Sequence, residues 1–310
     1  MSSRTKALLA ILGASLLWSS AGIAKIVVRT LDPFTAVFLR FLVASLVILP
    51  FFLREKRKKT IAWRKLLPLS LLSGINAALY YVGLQTSSAN AATIIYAGTP
   101  LITALLAKQF IAEATYAKKF IGILVGLAGV LTIIILPAIE TGQSVSGDLQ
   151  GNLFYLLAVA VWSLYIIGSR KASAVFDHSP LTISSLSIFA SCVLFGGITL
   201  FTWKPSYIQI LSQTSIWLLI VHLGVFVTVA TLMLYQWAIK LSSATTASLT
   251  THIQPVFSII FNILFLGEQL TAGFVFGSII VIAGVFLATG ERLLDEIKRF
   301  SHWIPAQRPG

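Results

Sequence analysis

The chain has 310 residues, of which 57% are hydrophobic and 11% charged, and it carries a formal net charge of +13. That balance leaves too little polar surface to cover a soluble domain and points to a lipid bilayer as solvent. The basic surplus would suit a nucleic-acid partner, but it is gathered in short joints between long apolar stretches, where it reads as membrane topology instead.

A hydrocarbon layer of roughly 30 Å takes about 20 apolar residues in helical form. Ten such stretches are present, and the expected fold is an all-α membrane protein of ten transmembrane helices. The first, Ala7–Val28, follows Arg4 and Lys6 as a signal peptide would, but it is long for one and is read as a retained span. It carries Trp18, a candidate for a binding surface, and Lys25 near its end. The second, Pro33–Leu53, places Arg40 early in the span; Lys25 and Arg40 are both positioned to snorkel toward the outer interface, and Arg40 is a candidate gate. The joint that follows holds Arg54, Lys56, Arg57, Lys58, Lys59, Arg64 and Lys65. Besides setting orientation, such a run suits anionic lipid.

The third stretch, Leu66–Leu84, has Asn76 and Tyr80 one turn apart. In the fourth, Ala89–Ile111, Asn90, Thr93, Ala97 and Pro100 share one helical stripe with Tyr96 close by. A proline inside a helix frees a carbonyl one turn earlier, which lipid cannot satisfy, so Pro100 reads as a hinge beside a cavity or as a packing kink. Glu113 then precedes the fifth stretch, Ala117–Pro137, where a negative side chain complements the positive helix end. Gly122-x-x-x-Gly126 within it permits close helix approach, as internal scaffolding rather than a dimer seam.

A joint near Glu140–Asp148 leads to the sixth stretch, Leu149–Ser169, with Tyr155, Trp162 and Tyr165. The seventh, Pro180–Thr202, contains Cys192, the one cysteine of the chain, so no intrachain disulfide forms. The eighth, Ser215–Ile239, carries His222. The ninth, Ala244–Gly267, repeats the polar stripe as Thr245, Ser248, His252 and Pro255. Glu268 precedes the tenth, Thr271–Thr289, with its Gly273-x-x-x-Gly277. The tail Glu291–Trp303 mixes charges with apolar residues and suits a short helix on the cytoplasmic interface, or disorder.

Leu79–Val130 aligns without a gap on Leu234–Val285 with fourteen identities, among them Tyr80 with Tyr235, Pro100 with Pro255, Glu113 with Glu268, Gly122 with Gly277 and Gly129 with Gly284. At another offset Trp18-Ser19 matches Trp162-Ser163. The repeat therefore covers five helices, and five being odd, the second copy enters from the opposite side of the membrane. Such inverted repeats place a site at their interface and permit alternating access. The expected units are residues 1–140, the first repeat, 141–290, the second, and 291–310, a cytoplasmic tail. All but Lys25, Arg29, Arg40 and Lys204 of the 23 basic residues fall on the inner side if both termini are cytoplasmic.

Leu17-Trp18-Ser19, Asp32-Pro33 followed by Leu39-Arg40-Phe41, Leu266-Gly267-Glu268-Gln269-Leu270 and the run from Gly277 to Ala283-Gly284-Val285 together resemble the drug/metabolite transporter superfamily, in particular its ten-helix EamA-type exporters. The first half departs in Ile111-Ala112-Glu113, which lacks the glycine before the glutamate. The resemblance implies export or exchange of amino acids, related metabolites or small drugs across the plasma (inner) membrane.

Polar groups within hydrocarbon mark cavities or partners, so Trp18, Asn76, Tyr80, Asn90, Thr93, Tyr96, Trp162, Tyr165, His222 and His252 are the candidate substrate residues. Arg40, Pro100, Pro255, Glu113 and Glu268 are the candidate gating or structural ones. Every carboxylate lies in a joint, at a span end or in the tail, which disfavours a carboxylate proton relay and favours neutral or zwitterionic solutes. No catalytic constellation, metal cluster or cofactor motif occurs. The implied partners are a small-molecule solute and the bilayer, with no nucleic acid and an undetermined oligomeric state. The alternatives are a membrane-embedded enzyme or a sensor without transport activity.

Overall fold

The computed structural model describes residues 3–55, 63–87, 89–113, 115–141, 148–174, 176–266 and 272–301, some of them by backbone alone. They form helices: α1 (Ser3–Trp18), α2 (Ala24–Val28), α3 (Pro33–Arg54), α4 (Trp63–Thr86), α5 (Ala89–Tyr96), α6 (Thr99–Ile111) and α7 (Ala117–Thr141). Then come α8 (Leu149–Ala174), α9 (Pro180–Thr202), α10 (Tyr207–Leu211), α11 (Thr214–Gly224), α12 (Thr231–Leu241), α13 (Ala244–Ser248), α14 (Thr250–Leu266) and α15 (Ala272–Ser301). Among the described residues seven stretches are long and apolar enough to cross a membrane, and Val275–Ala288 is a shorter apolar helix. The fifth expected span is helical as α7, and the ninth as α13 and α14. Leu53, Leu105, Val193, Leu200 and Phe201 are exposed, an apolar exterior that water would not tolerate and lipid does.

Several helix starts are written locally. Asp32 accepts from the amides of Phe34 and Thr35 ahead of Pro33 at the first turn of α3, and Ser179 accepts from Thr182 ahead of Pro180 in α9. Each pairs an N-cap oxygen with a proline whose missing N–H is not needed there. Asp148 likewise accepts from the amide of Gln150 at 2.7 Å as α8 begins.

Four expected continuous spans are interrupted. Between α1 and α2 the chain tightens into a 3-10 turn, Ser19–Ile23. Between α11 and α12 it widens into a π-helical segment, Val225–Ala230. The fourth expected span divides into α5 and α6, and the ninth into α13 and α14. Broken helices leave backbone groups unpaired, which is tolerated only inside protein or along a cavity. Here side chains take them up. Gln254 donates to the Trp18 carbonyl at 3.1 Å and Ser258 to the Ser19 carbonyl at 3.2 Å, while Thr99 donates to the Tyr96 carbonyl at 2.6 Å. Pro100 is thus not within a helix but in the first turn of α6, and the carbonyl it was expected to free is held by Thr99. Pro255 does lie inside α14. Two further differences concern the ends. The short helix α10 was not foreseen, and the expected tail helix is the continuation of α15, which runs unbroken to Ser301.

The helices pack in pairs: α7 along α15, α4 on α8 and α9, α3 on α9 and α11, and α1 on α12 and α14. The α7–α15 seam is made of glycine. A Cβ on Gly129 would come within 2.9 Å of the Gly277 carbonyl, and one on Gly284 within 2.8 Å of the Gly122 carbonyl. Gly122 and Gly126 therefore serve the interior of the molecule, because backbone meets backbone where they lie.

Candidate functional site

Where the broken segments meet, a partly open cavity with an empty volume of about 860 Å³, its mouth included, lies among the helices. Trp18 and Ala21 line it from the first span, Arg40 and Phe41 from α3, and Ser73, Asn76, Ala77 and Tyr80 from α4. Ala92, Thr93 and Tyr96 come from α5. The second half supplies Trp162 from α8, Val227 and Thr228 from the π-helical segment, Leu232 from α12, and Thr251 and Gln254 from α14. The mixture of aromatic walls with few polar groups is that of small-molecule sites.

Two aromatic groups form the walls. Trp18 meets Trp162 edge-on at 5.4 Å between ring centroids, and both rest on Tyr235, at 4.9 and 5.5 Å. Behind them Tyr165 stacks on Trp162 at 5.0 Å. On the other side Tyr80 contacts Tyr96 and Tyr155, each at 5.8 Å. Asn76 ties this group to α8 by donating to the Tyr96 hydroxyl and the Ala158 carbonyl, both at 2.8 Å. Such networks hold rings in one orientation, which is what a pre-formed site requires.

Arg40 is the charged member. Its Nε donates to the Thr228 hydroxyl at 2.6 Å, one terminal nitrogen to the Tyr81 hydroxyl at 3.3 Å, and the other to the Val227 carbonyl at 3.2 Å. The rings of Phe41 and Tyr81 flank the guanidinium at 5.7 and 5.8 Å. The expectation that Arg40 snorkels outward is thereby corrected: polar partners on the π-helical segment draw it inward. Lys25 also turns to a protein partner, the Ser87 carbonyl at 3.2 Å.

Trp18, Asn76, Tyr80, Thr93, Tyr96 and Trp162 are thus brought together on one cavity, with Arg40 beside them. Three candidates are not on its surface. Tyr165 is fully buried behind the wall, bonded to Ser187 at 3.1 Å and Gln236 at 2.8 Å. His222 bonds Ser20 at 2.9 Å. His252, fully buried, bonds the Ala97 carbonyl at 2.9 Å and sits against Gly126, where a Cβ would come within 2.5 Å of its Nδ1. His252 therefore faces α7, not the cavity. The Asn90 side chain and all of Glu268 lie outside the described residues. Glu113 does not cap its own following helix; it accepts from the amides of Ala244 and Thr245 at 3.0 and 3.2 Å, at the start of α13 in the other half, with Lys119 at 3.6 Å.

Gln254, Thr228 and Thr251 were missed. Gln254 carried a usable signal, a polar residue one position before Pro255; nothing local marks Thr228, whose place depends on the π-helical turn.

A helical chain with seven apolar stretches of spanning length is an integral, multi-pass membrane protein. The model of the EamA-like transporter family matches residues 5–135 and again 149–290, and the chain belongs to that family. An uncharacterized transporter of Clostridium kluyveri is 26% identical over 284 residues, covering 89% of this chain and 90% of its own length. The uncharacterized transporter YyaM of Bacillus subtilis is 28% identical over 276 residues, covering 86% of this chain and 88% of its own length. A WAT1-related protein of Arabidopsis thaliana is 24% identical over 303 residues, covering 87% and 86%. One crystal structure shares the fold with a TM-score of 0.74 at 19% identity, over 93% of this chain and 99% of the other.

Proposed function

We propose that the protein is a secondary transporter, an exporter or exchanger, of small neutral or zwitterionic metabolites such as amino acids. In this reading it has ten spans arranged as two inverted five-helix repeats, residues 1–140 and 141–290, followed by a cytoplasmic tail, 291–310. It sits in the plasma (inner) membrane with both termini cytoplasmic. The observation that carries the reading is the cavity, to which repeat mates contribute jointly: Trp18 touches Trp162. The double match of the family model supports two units. So do the reciprocal approaches of Gly129 to Gly277 and Gly284 to Gly122, which exchange under the repeat offset. Repeats related this way alternate access by rocking about a shared site.

Repeat-mate segments also carry side-chain latches at two places. Ser87 accepts from Lys25 through its carbonyl and donates to Asn152 at 2.7 Å. Its repeat mate is Ser242, whose neighbour Ser243 accepts from Lys119 at 3.0 Å. In the proposed topology the first latch faces outward and the second the cytoplasm.

The test is counterflow in proteoliposomes with amino acids, purines, sugars and quaternary amines. Uptake of at least one class is expected, with Trp162→Ala weakening it on the order of tenfold or more at unchanged expression. Absence of counterflow, together with turnover of a solute by the detergent-solubilised protein, would assign an enzyme instead.

A further inference from the structure

We propose that Arg40 is the anchor for a carboxylate, so that the solute accepted by the cavity bears a carboxylate on an apolar body, as a zwitterionic amino acid does. The inference rests on the transport cavity described above but concerns binding, not movement. A guanidinium carries five N–H groups. Arg40 spends three of them, one from each nitrogen, on Thr228, Tyr81 and Val227. Among the described residues each terminal nitrogen therefore keeps one N–H unspent, and such N–H groups are what a guanidinium offers a carboxylate.

All three acceptors are neutral, and among the described residues no carboxylate lines the cavity. A cation held this way has its geometry fixed and its charge uncompensated, which is costly inside a membrane and is retained where a ligand supplies the counter-charge. The mounting is built for the purpose. Phe41 and Tyr81 flank the guanidinium plane. The Thr228 hydroxyl that receives Nε is itself oriented by donating to the Leu223 carbonyl at 2.8 Å, five residues back, a spacing that the π-helical turn provides.

The rest of the lining sets the other half of the specificity. Among the described residues Arg40 is the one cation on the cavity, so a phosphate, which draws on several donors and charges, is poorly matched. The Trp18, Trp162, Tyr80 and Tyr96 rings offer flat apolar walls for a hydrocarbon or aromatic body.

The test uses full-length protein in detergent and isosteric probe pairs, 3-phenylpropionate with 3-phenylpropionamide and hexanoate with hexanamide. Binding is read by calorimetry and by quenching of tryptophan fluorescence at neutral pH. Each acid is expected to bind at least tenfold tighter than its amide, and Arg40→Gln to abolish that preference. Because Arg40→Gln removes packing as well as charge, Thr228→Val is the second variant: it keeps the charge but loosens its mount, and a reduced preference is expected. Equal binding of acid and amide by the wild type, no binding of either acid, or a preference that survives Arg40→Gln would each overturn the proposal. Discrimination by the wild type without counterflow of any solute would instead uphold the anchor and refute transport.

Discussion

His252 and Gly126 show how single residues divide labour in this fold. The repeat mate of His252 is Ala97, and that of Gly126 is Val281. A large side chain thus opposes glycine in one contact between the halves, while Ala97 and Val281 pack together with Val130 in its counterpart. The pairs fill similar space with sizes exchanged, so His252 acts as a packing and hydrogen-bonding residue. His252→Ala should lower stability by about 1–3 kcal/mol, through the lost bond to Ala97 and the void left behind, while leaving the affinity of a cavity ligand within about twofold. Thermal unfolding in detergent beside a binding isotherm separates the two effects, and a large loss of affinity without loss of stability would return His252 to the site. Asn76→Ala should behave oppositely: with Tyr96 untied from α8, ligand affinity falls while most of the stability remains.

Among the elements, the seam between α7 and α15 depends on the absence of side chains. A valine at Gly284 would drive methyl groups into Gly126, whose Cα lies 2.7 Å from the modest space of a single Cβ. Gly284→Val is expected to cost about 3 kcal/mol or more and to remove the monodisperse peak in size-exclusion chromatography. Gly197 on α9 has open space around its missing Cβ, and Gly197→Ala should leave the melting temperature unchanged or slightly raised. The start of α13 depends on Glu113. Burial pushes that carboxyl up, but the Lys119 charge and the amides of Thr245 and Ala244 hold the group below its ordinary 4.5. A carboxyl with a depressed folded value stabilises the fold at pH above its unfolded value, and the contribution disappears as pH falls through the folded one. Wild-type protein should therefore lose melting temperature more steeply than Glu113→Gln between about pH 5 and pH 3. Parallel curves would show that Glu113 contributes nothing there.

At the scale of the whole molecule, the inverted-repeat reading makes a demand on topology: residues near both ends of the chain must label from the same side. Single cysteines introduced near each terminus in a Cys192→Ser background should react together with an impermeant maleimide only after the membrane is opened, starting from intact cells. Opposite labelling would break the symmetry relation and, with it, alternating access by rocking. The apolar exterior, the broken helices and the central cavity belong to one solution. Interrupted segments need partners for loose backbone groups, and gathering them around one chamber supplies those partners while creating a polar lining.

The sequence by itself determined the solvent, the succession of apolar stretches and the internal repeat, because apolar length, charge in joints and self-similarity are properties of the chain read in one dimension. It also marked most of the aromatic and amide lining, since Trp18, Asn76, Tyr80, Tyr96 and Trp162 carry polar groups in an otherwise aliphatic setting. The direction in which each side chain points came from packing between helices. Helical period assigns a stripe but not the neighbour it faces, so His252 was placed on a cavity it does not line and Arg40 on an interface it does not reach. The π-helical turn that mounts Arg40, the 3-10 turn after Trp18 and the reach of Glu113 to α13 arise from contacts between residues far apart in the chain, where packing overrides local preference.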